Sequence, residues 1–117
     1  MNAKTRKYSL DVANLKREVR NLDSLLCSPS SNAADFSSLR SRLQSIRESI
    51  ERRWDFGDIW NGIELADDLL ELVSRLSVAA CIAEWSFEKE EKEKAESKSD
   101  AVLRLASISG DLERLTK

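Results

Sequence analysis

The stretch SLDVANLKREVRNLDSLL (9–26) places apolar residues at alternating steps of three and four, at Val12, Leu15, Val19, Leu22 and Leu26. The stretch DFSSLRSRLQSIRESIERRW (35–54) repeats this spacing with Phe36, Leu39, Leu43, Ile46 and Ile50. Apolar residues at this period form one stripe along an α-helix. The intervening CSPSSNAA (27–34) holds the only proline of the chain, and its residue types favour a loop. We therefore predict an antiparallel hairpin of helix 1 (9–26) and helix 2 (35–54), with Asp35 as a candidate cap.

The helical pattern continues beyond this hairpin. Residues 58–98 contain no proline and, after Gly62, no glycine, which predicts a long helix 3 that could break at Ser86 or Ser97. Periodic apolar residues return in 100–116 and predict a shorter helix 4. The sequence thus indicates a single all-α domain over 1–117, a bundle of three to four helices with heptad-type seams and one long central helix.

The composition argues against several functional classes. Among 117 residues there is no histidine, which removes the commonest general base and metal ligand. Cys27 and Cys81 are too few to complete a zinc site. The N-terminus lacks the apolar segment of a signal peptide, and no run of about 18 apolar residues occurs. We expect a cytoplasmic protein without a cofactor or membrane span.

The segment LSVAACIAEW (76–85) is apolar on every side of the predicted helix, because no charge lies between Arg75 and Glu84. A helix of this kind is normally buried all round, and one hairpin is too small to cover it. We therefore predict a partner or homodimer interface formed by Val78, Ala79, Ala80, Ile82, Ala83 and Trp85.

Three aromatic residues, Trp54, Phe56 and Trp60, surround the predicted turn into helix 3. Their favoured interpretation is an aromatic plug that closes the end of the bundle. The alternative is an exposed patch that anchors a partner, since tryptophan is enriched at interface hot spots. They are therefore also candidate interface residues.

An acidic stripe on helix 3 carries the enzymatic alternative. Glu64, Asp67, Asp68 and Glu71 share one face at helical spacing and could bind Mg²⁺. The stripe loosely resembles the metal sites of all-α nucleoside-triphosphate pyrophosphohydrolases, and this resemblance implies metal-dependent nucleotide hydrolysis. Those enzymes add a second acidic motif, and the later acids of this chain are not at a matching spacing. A solvated or ion-paired helix face is the simpler interpretation.

Charge is unevenly distributed, with a balance of +5 over residues 1–53 and −7 over the remainder. The basic half could contact nucleic-acid phosphates through Arg40, Arg42, Arg47, Arg52 and Arg53. These arginines do not follow one stripe, however, and packing of basic helices beside the acidic helix 3 explains the same asymmetry. The sequence favours a non-catalytic interaction protein: an adaptor, a chaperone-like binder or a small inhibitor of a larger protein.

Overall fold

The computed structural model describes residues 7–54 and 65–116 and contains four helices in that part of the chain. They are α1 (Ser9–Cys27), α2 (Ala33–Arg53), α3 (Leu65–Trp85) and α4 (Glu91–Leu115), with a short 3₁₀ turn at Ser86–Glu88. The described residues include no β-strand. The predicted all-α bundle is therefore confirmed.

The two stretches with alternating three- and four-residue steps form α1 and α2, and the ten apolar residues at those steps are all buried. Helix α2 begins two residues earlier than predicted because Asn32, and not Asp35, is its N-cap. The Asn32 side chain accepts a hydrogen bond from the Asp35 backbone, and the Asp35 carboxylate accepts one from the Asn32 backbone. This reciprocal capping box satisfies two backbone donors at the helix start.

The long helix 3 predicted over 58–98 is interrupted at Ser86, one of the two breaks that the sequence left open, because α3 ends at Trp85. The Ser86 hydroxyl donates to the Ala83 carbonyl at 2.6 Å, and the Phe87 ring packs on Phe36 of α2 with centroids 5.8 Å apart. These contacts turn the chain after α3, although the local sequence favours a helix. Helix α4 therefore begins at Glu91 and not at residue 100, and the charged segment after Phe87 supplies its first turns.

Neighbouring helices run antiparallel, as the contacts between their side chains show. Arg40 and Arg47 of α2 reach Glu84 and Ser74 of α3, respectively. Helix α3 packs most extensively against α2 on one side and α4 on the other, and α1 contacts both α2 and α4. The result is an up-down-up-down bundle in which α1 and α4 close the ring.

Candidate interaction surface

The apolar segment 76–85 divides into a buried side and an exposed side. Ala79, Ala80 and Ala83 are at most 1% exposed, and they lie on the side of α3 that packs into the bundle. Their small side chains allow α2 and α4 to approach α3 closely. The placement of these three alanines in a partner interface is thus corrected: four helices, and not a single hairpin, are available to cover them.

The opposite side of the same segment remains uncovered. Val78 is 46% exposed, Trp85 is 56% exposed, and Ile82 lies half-buried between them. Steps of four and three residues place these side chains in one row on a helix. We call Val78, Ile82 and Trp85 the α3 ridge. It retains three of the six residues predicted for the interface in this segment.

An ion pair borders the α3 ridge on the α2 side. Arg40 Nη2 lies 2.7 Å from Glu84 Oε2, and Arg40 Nη1 lies 3.9 Å from the Cys81 sulfur. Arg40 Nε and Glu84 Oε2 are buried, and neither has a hydrogen bond of good geometry to the described residues. The pair holds α2 beside α3 and places a charged border next to the apolar ridge.

Of the three aromatic residues predicted to surround the turn after α2, one lies in the described part of the chain. Trp54 directly follows α2 and is 41% exposed. Phe56 and Trp60 lie outside the described residues, as does the predicted start of helix 3. Both the aromatic-plug and the anchor interpretations of this segment stay predictions.

The acidic stripe begins at the first turn of α3. Asp67 and Glu71 are exposed, Asp68 is half-buried, and Glu64 lies outside the described residues. The neighbouring Arg75 contacts α4, with Nη1 2.6 Å from Asp111 Oδ2 and Nη2 2.9 Å from Ser107 Oγ. Within residues 7–54 and 65–116, no group of three histidine, cysteine, aspartate or glutamate residues could hold a metal ion.

The arginines of α2 mostly face other parts of the chain. Arg42 and Arg53 pair with carboxylates of α1, Arg40 pairs with Glu84, and Arg47 donates to Ser74. Arg52 is exposed to solvent. Four of the five predicted phosphate contacts are thus engaged within the bundle, although only Arg40 pairs with an acidic residue of α3.

Two buried carboxylates on α1 were missed by sequence reasoning. Glu18 is fully buried, and both of its carboxylate oxygens lie 3.0 Å from Arg42 Nε. Asp11, also fully buried, accepts from the Ser49 hydroxyl at 2.6 Å, and Arg53 Nε lies 3.1 Å from its second oxygen. The second contact is close but lacks hydrogen-bond geometry.

The sequence does contain a pattern that could have revealed these contacts, because the residues involved occupy equivalent positions beside the buried stripes. Asp11 and Glu18 each precede a buried valine of α1 by one residue, and Arg42 and Ser49 each precede a buried residue of α2. From Asp11 to Glu18 the chain advances seven residues along α1, and from Ser49 to Arg42 their partners step back seven residues along α2. This is the pairing expected for equivalent flanks of two antiparallel helices, where acidic and basic side chains set partner choice and orientation.

A groove of about 520 Å³ separates α1 from α4. Val19 and Leu105 are buried at its base, and Val102 lies on its α4 side. Arg20 lines the same groove from α1 and also lines its continuation with Lys16. An apolar base therefore adjoins a basic edge.

Comparison with protein-family models, curated proteins and solved structures finds no match for this chain. No helix in the described part of the chain has the length and apolar character needed to span a membrane.

Proposed function

We propose that this chain is a non-catalytic protein–protein interaction module whose contact surface is the α3 ridge. The observation that carries the proposal is the row formed along one helix by the exposed Val78 and Trp85 and the half-buried Ile82 between them. Exposed apolar side chains are common singly, whereas a contiguous row bordered by charged groups is typical of binding sites. Trp85 supplies the large aromatic side chain that is characteristic of interface hot spots.

The position of the ridge supports this function. Helix α3 is packed between α2 and α4 through its buried alanines, so the ridge stands on a well-anchored element. A partner that binds there meets preorganised side chains and loses less free energy in ordering them. An adaptor, a chaperone-like binder or a small inhibitor would each use such a surface, and a second copy of the chain is included among the partners.

The thiols are compatible with a cytoplasmic setting. Cys27 and Cys81 are both free, and Cys81 lies within reach of Arg40. Free cysteines are usual where glutathione and thioredoxin keep thiols reduced. A cytoplasmic location is part of the proposal and is testable by fractionation.

The test is affinity capture of the tagged protein from cell extract with nuclease present. We expect a stoichiometric protein partner that is retained by the wild type and lost by Val78→Glu, because a charge in the apolar row would have to be desolvated. Ser45→Glu is the matched control, since it adds the same charge at an exposed position of α2. Equal capture by all three proteins would contradict a role for the ridge.

The same experiment separates the nucleic-acid alternative. Proteins that are recovered only without nuclease would indicate binding through an RNA or DNA bridge. Such binding should also weaken steeply with salt, because phosphate contacts release counterions. Substitution of Arg52, the exposed arginine of α2, would then reduce the affinity, whereas Val78→Glu would not.

A further inference from the structure

The groove between α1 and α4 has an edge of exposed apolar side chains. Val102 is 48% exposed, and the adjacent Leu103, at 71%, is the most exposed of the large apolar residues described. The same face of α4 continues towards its N-terminus with the small residues Ser99 and Ala95, both exposed. A guest helix placed here would find space as well as apolar contact.

The charged residues at the groove are unmatched within the bundle. Lys16 and Arg20 form no ion pair with any residue in 7–54 or 65–116, although Glu113 lines the same end of the groove. On α3, Asp67 and Glu71 are exposed and likewise form no ion pair among the described residues, although Glu71 lines a cleft with Arg75 and Arg114. The outer face of α3 thus carries acidic residues that the groove could match.

The spacing of charged and apolar groups agrees between the two surfaces. Glu71 precedes Val78 by seven residues, about 10 Å along a helix. In the groove, Arg20 lies beside Ser109, and Val102 is also seven residues from Ser109.

When α3 of another copy is laid antiparallel to α4 in this register, Glu71 meets Arg20 and Val78 meets Val102. Trp85 then reaches the small residue Ala95, and Asp67 comes level with Lys16 on α1 and with Glu113 on α4. The acidic groove residue Asp23 comes level with the uncharged Ser74 and opposes no carboxylate.

We propose that the α3 ridge of one copy docks into the α1–α4 groove of a second copy, with Glu71 paired to Arg20. This inference rests on the proposed function and names a partner for it. The two surfaces are different, so the contact is heterologous and leaves a free ridge and a free groove at the ends. A contact along one helix face buries on the order of 1,000 Å² in total, which is typical of weak, concentration-dependent association.

The experiment is analytical ultracentrifugation of the full chain over a wide concentration range, with one variant for each surface. Val78→Glu disables the ridge, and Val102→Glu disables the groove at a residue that lines it and is exposed enough to leave the fold intact. We expect the wild type to grow beyond a dimer with concentration, and each variant alone to remain at the monomer mass of 13.3 kDa. An equimolar mixture of the two variants should form one discrete species of twice that mass, because one intact ridge meets one intact groove.

Charge reversal tests the register. Arg20→Glu and Glu71→Arg should each weaken association, and the double variant should restore it, because the pair is re-formed with opposite signs between copies. Ser45→Glu is again the control and should associate like the wild type. Failure of the double variant to recover would overturn the proposed alignment.

The remaining outcomes also overturn the inference and leave the proposed function separately testable. A Val102→Glu variant that still dimerises would indicate a ridge-to-ridge contact. A wild type that stays monomeric at all concentrations would exclude the second copy as the occupant. If Val78→Glu nevertheless loses a captured partner in that case, the interaction function stands and only its self-association is wrong.

Discussion

Arg42→Ala should destabilise the bundle far more than its position on the surface suggests. The substitution leaves the fully buried Glu18 carboxylate without the guanidinium that lies 3.0 Å from both of its oxygens. Removing one partner of a buried ion pair costs about 3–5 kcal/mol, and a hydrogen bond to a charged group contributes about 1.5–3 kcal/mol.

The Arg42 side chain is 46% exposed, so water can enter the space that it vacates. Asn21 also continues to donate to Glu18 at 3.2 Å, and Arg17 Nε remains 3.7 Å from Glu18 Oε1. We therefore expect a loss in the lower part of these ranges, about 2–3 kcal/mol in the free energy of unfolding. For a chain of this length that corresponds to a fall of roughly 8–12 °C in Tm.

The measurement is urea and thermal unfolding followed by circular dichroism at the helical minimum, with Arg52→Ala as the matched control. Arg52 is exposed on the same helix, and its substitution should change the unfolding free energy by less than about 0.5 kcal/mol. Glu18→Met should cost less than Arg42→Ala, because the arginine left behind can turn to water. In the double variant, Arg42→Ala should add little to the cost of Glu18→Met. Equal, small effects for both arginine substitutions would refute the dependence of Glu18 on Arg42.

Two further substitutions test the helix packing by the same unfolding assay. Ala80→Glu places a carboxylate in the fully buried side of α3 and should lower the free energy of unfolding by at least about 4 kcal/mol. Val78→Glu, two residues earlier, should lower it by less than about 1 kcal/mol. Similar losses for the two variants would contradict the division of 76–85 into a buried and an exposed side. Gly110→Ala should stabilise the chain by about 0.5–1 kcal/mol, because Gly110 lies within α4 and no atom lies within 4 Å of the added methyl group; a loss of stability would show that the position is tighter than the structure indicates.

The hairpin could be predicted from the sequence because its information is local. The steps of three and four residues from Val12 to Leu26 and from Phe36 to Ile50 identify both buried stripes without knowledge of the partner helices. The end of α3 was less certain, because the sequence allowed a break at either Ser86 or Ser97 and did not choose between them. Ser86 ends the helix through its hydrogen bond to Ala83, and Phe87 does so by packing on Phe36. Phe36 lies 51 positions before Phe87 in the chain.

The surface was predicted less completely, because burial depends on how many helices surround a segment. The pattern at 76–85 showed that α3 needs cover on several sides, but it did not show that α2 and α4 provide it for Ala79, Ala80 and Ala83. The carboxylates of Asp11 and Glu18 were missed for the opposite reason. Charged residues are expected at the surface. Burial of these two carboxylates is possible only because side chains of the antiparallel α2 pair with them and offset the cost of removing them from water.

The order of the helices has a consequence for the speed of folding. Each of the extensive contacts of α3 is with the helix that precedes or follows it in the chain, and α1 packs beside α2 across a loop of only five residues. Contacts between near neighbours in sequence give a low contact order, which is associated with folding in microseconds to milliseconds. Closure of α1 onto α4 is the exception, because it joins distant parts of the chain and carries the largest loop entropy. We expect the α1–α4 contact to form late in folding and to open first when the native bundle fluctuates.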